Sequence, residues 1–338
     1  MLPGSYGMWV LGSTSCIILL FLVDIHTGKL GIGYSDILGA LLFYKESDPL
    51  LSTIVVDVRL PTALLAIISG GALSIAGCQL QTVFNNNLAS PYTLGLSSAA
   101  ALGANVIILD LLPSFSMLGD AYMVNIAAFL CCMLTAGLVS YMAKVLFLQP
   151  HSIILIGVAA KIFLEGLVQL CMFIGTDTQV SIMVFLSMGA LSRATVAKAM
   201  TICLLTVLPV LFLFRYALYA DVIKIGDVYA KSLGVCPKTY KERSIFCVCV
   251  LTASVVSVTG PIPFVGMMAP NIARLFSGFS HRRLLLSSML IGILITQVTS
   301  ILSQRISPGI HVPISLVLAV FGAPFFCFVT VRKKKRLC

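Results

Sequence analysis

The 338-residue chain is 59% hydrophobic and 10% charged, whereas about a quarter of the residues of an ordinary soluble domain are charged, so water is excluded as its main solvent. The formal charge of +10 does not indicate a nucleic-acid binder. The basic residues sit at the ends of apolar runs and in the tail Arg332, Lys333, Lys334, Lys335 and Arg336, as expected of a membrane protein and not of one basic folded face. Four histidines at no ligand spacing and eleven cysteines without paired spacing argue against a built-in zinc or haem site and leave the cysteines as small packing residues.

A helix of about 20 apolar residues crosses a bilayer. Ten stretches read as spans: 8–25, 61–83, 93–112, 121–148, 153–174, 196–219, 244–260, 264–277, 284–303 and 312–331. They make residues 1–338 one all-α, polytopic transmembrane domain. No charged region and small-residue cleavage site precede the first run, which reads as a retained span. An external segment of about 26–59 follows and ends at Arg59, Leu60 and Pro61. Ala66 and Gly70 in the second span, then Gly95, Ala99 and Gly103 in the third, form small-residue faces that let helix backbones approach within one subunit. Between these spans, Asn85 to Pro91 reads as a tight inner turn, with Ser90 as N-cap and Pro91 at the first helical position.

The fifth span carries Lys161 and Glu165 in the middle of an apolar run. Ionisable groups at that depth face a bundle interior or a cavity. Their spacing of four puts them on one face, as an intrahelical ion pair or as contacts for a polar or anionic substrate. The longest hydrophilic stretch on the inner side is about 221–243. Within it, Gly226 to Gly234 has the pattern of a short helix ended by glycine; a structured loop of this kind asks for a partner. The eighth span is short and contains Pro261, Pro263, Gly266 and Pro270 at or near its start, so the backbone is expected to break before a half-helix buried in protein or lining a cavity. Ten spans put both termini on one side. Placing the termini in the cytoplasm assigns 15 Lys/Arg to the inside and 6 to the outside, with Lys161 within a span, which favours that orientation.

Several ordered pieces resemble the FecCD family of importer permeases, which includes the permeases for ferric siderophores, haem and vitamin B12. They are Arg59-Leu60-Pro61; Gly77 to Gln81, with Asn86 to Pro91 and Leu94-Gly95 after it; Gly226 to Gly234; Gly260 to Gly266, with Pro270 and Ala273-Arg274-Leu275; His281 to Leu285; and Gly322 to Phe325. The chain departs from the family pattern at Asn85 to Asn87, Thr62, Pro263 and Asn271. The resemblance covers nearly the whole chain and implies a type II ATP-binding-cassette importer permease in the bacterial or archaeal inner membrane. It also implies a second permease, identical or paralogous, two ATPase subunits inside and a substrate-binding protein outside.

Residue by residue, the resemblance assigns ATPase coupling to Gly226, Asp227, Ala230, Leu233 and Gly234, with Ala230 and Leu233 as the buried contacts. The bland alternative is a solvated basic loop. Arg59 and Arg305 are implied as docking points for the binding protein, or else as anchors that snorkel to headgroups. The turn Gln149, Pro150, His151, Ser152 matches an inner gate, which makes His151 and Ser152 gate candidates, with Lys161 and Glu165 as path candidates. No G-x-x-x-x-G-K-[ST] loop occurs in the chain, so ATP and magnesium would be used by the partner and no cofactor is expected here. The cargo read from the family is a ferric siderophore or related metal chelate, with haem, cobalamin and molybdate open. Two other classes compete: a secondary transporter using Lys161 and Glu165 as its relay, and an intramembrane enzyme, for which a constellation such as H-E-x-x-H is missing.

Overall fold

The computed structural model describes residues 3–28, 33–42, 49–111, 120–145, 150–306 and 312–334, and among these it contains helices and no strands. In chain order the helices are α1 (Pro3–His26), α2 (Tyr34–Leu42), α3 (Pro49–Ser52), α4 (Leu60–Val83), α5 (Leu96–Ile108), α6 (Asp120–Val145), α7 (Pro150–Ile174), α8 (Asp177–Ser187), α9 (Val196–Arg215), α10 (Ala217–Ile225), α11 (Asp227–Ser232), α12 (Pro237–Thr259), α13 (Val265–Ser277), α14 (His281–Ile306) and α15 (Ile314–Lys334). Seven of the described helical stretches are long and apolar enough to cross a membrane. With the shorter α5 and α13 and with α15, they occupy the ten predicted positions.

Two stretches differ from the sequence reading. α3 and α4 are joined by a π-helical turn, Thr53–Arg59, so one continuous helix runs from Leu50 to Val83 and shortens the external segment. Pro61 has no N–H to give to the preceding turn, and the helix widens just before it. The link after the fifth span holds an additional helix, α8. Thr176 and Gln179 close a capping box at its start, and the Gln179 amide donates to Ile108 O at 2.9 Å, which fixes α8 to the end of α5.

The core is a block formed by α4, α12, α13 and α14. Its tightness comes from glycine. A Cβ on Gly70 would collide with Thr296 and Gly292 of α14, and one on Gly77 with the Gly266 carbonyl of α13. Thr296 Oγ1 donates to Ala66 O at 2.7 Å across the same seam. The small residues of the second and third spans are therefore used within the chain, Gly103 likewise lying against Ala127 of α6. At the predicted break, α12 ends at Gly260 and α13 begins after Phe264, whose φ of 66° and ψ of −36° with Val265 N–H bonded to Pro263 O at 2.8 Å make a rare, strained γ-turn.

Candidate functional site

The loop between α9 and α12 is built as a bracket. α10 leads to Gly226, whose φ of 148° lies where a Cβ is disfavoured, and the chain turns there into α11. α11 is closed by a Schellman arrangement in which Val235 N bonds Ala230 O at 2.9 Å and Gly234 N bonds Lys231 O at 3.0 Å, with Gly234 at φ 78°, the left-handed conformation that the motif requires. The Asp227 carboxylate accepts from Lys241 Nζ at 2.8 and 2.9 Å and staples α11 to the first turns of α12. Beneath it, Ala220, Ile223, Ala230, Val235 and Tyr240 pack together.

The outward face of this bracket is apolar. Ile225, Val228, Tyr229 and Leu233 are 70%, 85%, 50% and 55% exposed and lie outside the membrane-crossing stretches. Exposed apolar side chains gathered on one short loop are a feature of protein–protein or membrane contacts. Of the two contacts assigned from the sequence, Leu233 is on this face but Ala230 is fully buried and serves as footing. Ile225, at the end of α10, and Val228 and Tyr229 of α11 were missed, although large apolar residues within a hydrophilic stretch are the signal that could have found them.

The bracket has two feet in the membrane block. Asp221 of α10 accepts the His281 backbone N–H at 2.8 and 3.1 Å, capping α14, and also pairs with Lys224 at 3.1 Å. The His281 ring meets Gln79 Oε1 of α4 at 2.9 Å, and the Gln79 amide nitrogen meets the Tyr240 hydroxyl of α12 at 3.0 Å. A second set lies alongside, with Arg274 Nη2 on Gln81 Oε1 at 2.7 Å, Arg274 Nη1 on Asn271 Oδ1 at 2.9 Å and Asn271 Nδ2 on Asn87 O at 3.1 Å. Sequence reasoning gave none of these side chains a role, although two glutamines within the apolar run of α4 are a signal that a polar partner awaits them.

The remaining candidates lie apart from the loop. Arg59 is buried and donates from Nη1 to Ile25 O at 3.0 Å and His26 O at 3.1 Å, satisfying carbonyls at the end of α1. Arg305 is exposed in the last turn of α14, at the same end of the molecule, because Asp24 of α1 accepts from Ser300 Oγ at 3.1 Å and from Gln304 Nε2 at 2.7 Å. The His151 side chain is outside the described residues, and Ser152 is half-buried in the first turn of α7. Lys161 and Glu165 form the ion pair at 3.6 Å. Lys161 also lies 4.1 Å from the centroid of the Tyr92 ring and Glu165 accepts from Ser98 Oγ at 3.3 Å, so the pair is turned toward α5 and the turn preceding it. The opposite face of α7, with Leu155, Ile162, Phe163 and Phe173, is exposed.

A cavity of about 540 Å³ opens between α5, α6, α7 and α12, with walls such as Phe84, Leu94, Met133 and Ile153. Its walls are mostly apolar, with Ser140, Lys238, Lys241 and Glu242 as the polar side chains among them. Among the described residues, no three His, Cys, Asp or Glu side chains come together in a way that could hold a metal ion.

A sequence profile described as the FecCD transport family matches residues 16–332. The chain is 31% identical to an iron chelatin transport system permease of Helicobacter pylori over 86% of each protein. It is also 31% identical to the Fe(3+) dicitrate transport system permease FecD of Escherichia coli, over 93% of this chain and 95% of that one. In structure it is similar to an inward-facing conformation of a metal-chelate type ABC transporter, with a TM-score of 0.82 and 25% identity over 96% of this chain and 99% of the other.

Proposed function

The chain belongs to the FecCD transport family, and from that premise we propose that it is the membrane-spanning permease of an ATP-driven importer for an iron chelate, powered through the apolar face of its loop. The observation that carries the reading is the placement of Ile225, Val228, Tyr229 and Leu233 on the outside of a bracket whose inside is fixed to α12 and α14. A solvated loop needs neither the exposed apolar face nor the footing. A partner ATPase docked there would displace the bracket and move the spans as rigid bodies.

In this reading the loop and both termini face the cytoplasm. Two ATPase subunits dock on two permeases, which are copies of this chain or a paralogous pair. The exposed face of α7 lies toward the second permease and the path between them, with His151 and Ser152 at its inner gate. Arg305 is the accessible arginine for an external binding protein, since its planar guanidinium suits a carboxylate. Arg59 would contribute from behind it while continuing to cap α1. Iron chelates are the cargo named for the two curated relatives, and the walls of the path need be only weakly attractive to such a solute.

The test uses Val228→Asp and Leu233→Asp in the complete transporter. Each should abolish co-purification of the ATPase and uptake of radiolabelled ferric citrate while leaving the membrane level of the permease unchanged. Retained ATPase binding with wild-type uptake in both variants would overturn the assignment of this face.

A further inference from the structure

α12 and α14, the two feet of the bracket, both pack on α4. One side chain of α4 reaches both. Gln79 is fully buried, as is His281, and Tyr240 is nearly so. The Gln79 carbonyl oxygen faces His281 of α14 and its amide nitrogen faces Tyr240 of α12. A carboxamide can serve one neighbour as acceptor and another as donor at the same time. With the amide so placed, His281 carries its proton on Nε2, and its Nδ1 is buried without a partner.

We propose that Asp221, His281, Gln79 and Tyr240 form a transmission joint that binds α4, α12 and α14 to the docking loop as one body. The four are positioning residues. The physical basis is the cost of leaving a buried polar group unpaired, which exceeds the net worth of an ordinary hydrogen bond. If α12 slid along α4, Tyr240 would leave the Gln79 amide bare. If α14 slid, the Gln79 carbonyl and the imidazole would both be left without their partner.

Asp221 extends the joint to the loop, because the carboxylate that caps α14 belongs to α10. Lys241, stapled to Asp227, is the residue after Tyr240. A push on the loop therefore reaches both feet together, and the glycine seams at Gly70 and Gly77 carry it up the block. Without the joint the same push would be spent on bending one foot against the other. The site thus sets how much transport each ATP yields, while the face at Val228 and Leu233 sets whether the ATPase binds. The inference rests on the docking role of that face.

The experiment places the complete transporter, with ATPase and binding protein, in proteoliposomes and measures ferric citrate delivered per ATP hydrolysed and the stimulation of hydrolysis by loaded binding protein. Gln79→Leu should lower the delivered-to-hydrolysed ratio by about five-fold or more, and Tyr240→Phe, which removes a single hydroxyl, by about two- to three-fold. Both should retain a wild-type amount of ATPase in the purified complex. The double variant should be no worse than Gln79→Leu alone, because members of one unit are not additive.

Wild-type ratios in the assembled variants, or losses that multiply in the double variant, would overturn the joint. Should Gln79→Leu fail to assemble, the ratio in Tyr240→Phe decides alone. Val228→Asp, run in parallel, separates the two ideas. If it and Leu233→Asp both keep the ATPase bound with wild-type uptake, the docking reading is wrong; if they shed the ATPase while the joint variants transport normally, the joint alone is wrong.

Discussion

α12 and α14 on one side and α6 and α7 on the other are all helices of membrane-crossing length, yet the chain treats them differently. Within the molecule, 72% and 67% of the spanning stretches of α12 and α14 is buried, against 28% and 17% for α6 and α7. α14 meets α4 through the glycine seam at Gly70, and both helices of the first pair meet it through buried polar bonds to Gln79. α7 is held mainly along one face, where Gly157 lies on Leu94 and the Lys161 backbone on Gly95, and its other face is open. A transporter needs both kinds of helix: a block stiff enough to carry force, and a wall free to meet a second subunit and a moving solute.

The sharpest way to break this contrast is to add one side chain to each part. Gly77→Val should prevent folding of the block, since the new methyls have only the Gly266 backbone to enter and overpacking costs about 1–3 kcal/mol even where neighbours can shift. The membrane should contain little intact protein, as read by fluorescence-detected gel filtration. Gly166→Leu on α7, where an added Cβ meets nothing within 4 Å, should leave the thermal midpoint of the detergent-solubilised chain within a few degrees of wild type. Equal damage from both substitutions would erase the distinction.

A smaller effect is expected at the ion pair. Lys161→Met removes a partner from Glu165 and a cation from the Tyr92 ring, together worth about 1 kcal/mol at this partly exposed site, and uptake should stay within about two-fold of wild type. A collapse of uptake with unchanged protein level would place the pair in the path and move α7 from wall to machinery.

At the far end, Arg305→Glu should weaken binding-protein affinity about ten-fold at low salt and less at high salt, as measured by titration with labelled binding protein. Arg59→Glu should instead lower the thermal midpoint, because it uncaps α1. The smallest perturbation is a label. The exposed Cys236 has its thiol held below the ordinary value by hydrogen bonds from Thr239, so a membrane-impermeant maleimide should modify it rapidly in inside-out vesicles and slowly when the ATPase is bound. Modification from the outer side of intact cells would reverse the orientation.

What was legible in the sequence was what is local. The run of Pro and Gly before 264–277 signalled a break because those residues forbid a continuous helix whatever surrounds them, and Gly226 and Gly234 bracketed the short helix α11 for the same reason. The nonlocal part was not legible. Gln79 and His281 are separated by most of the chain, and nothing near either one names the other. Ala230 was named with Leu233 as a buried contact with the partner from the family pattern, and nothing local in a helix of six residues tells that its burial is supplied by Ala220, Ile223 and Tyr240 of the same chain. α8 escaped because it lies along the end of α5 on a single capping box rather than on a long apolar run.

The bonds that hold the end of α1 impose an order on biogenesis. The carbonyls of Ile25 and His26 leave the ribosome before Arg59 and must wait for it before they are capped. Asp24, on the same turn, must wait for Ser300 and Gln304, which are made almost at the end. α1 is thus locked in place only when α14 has been made, and a chain truncated before α14 would leave Asp24 without Ser300 and Gln304.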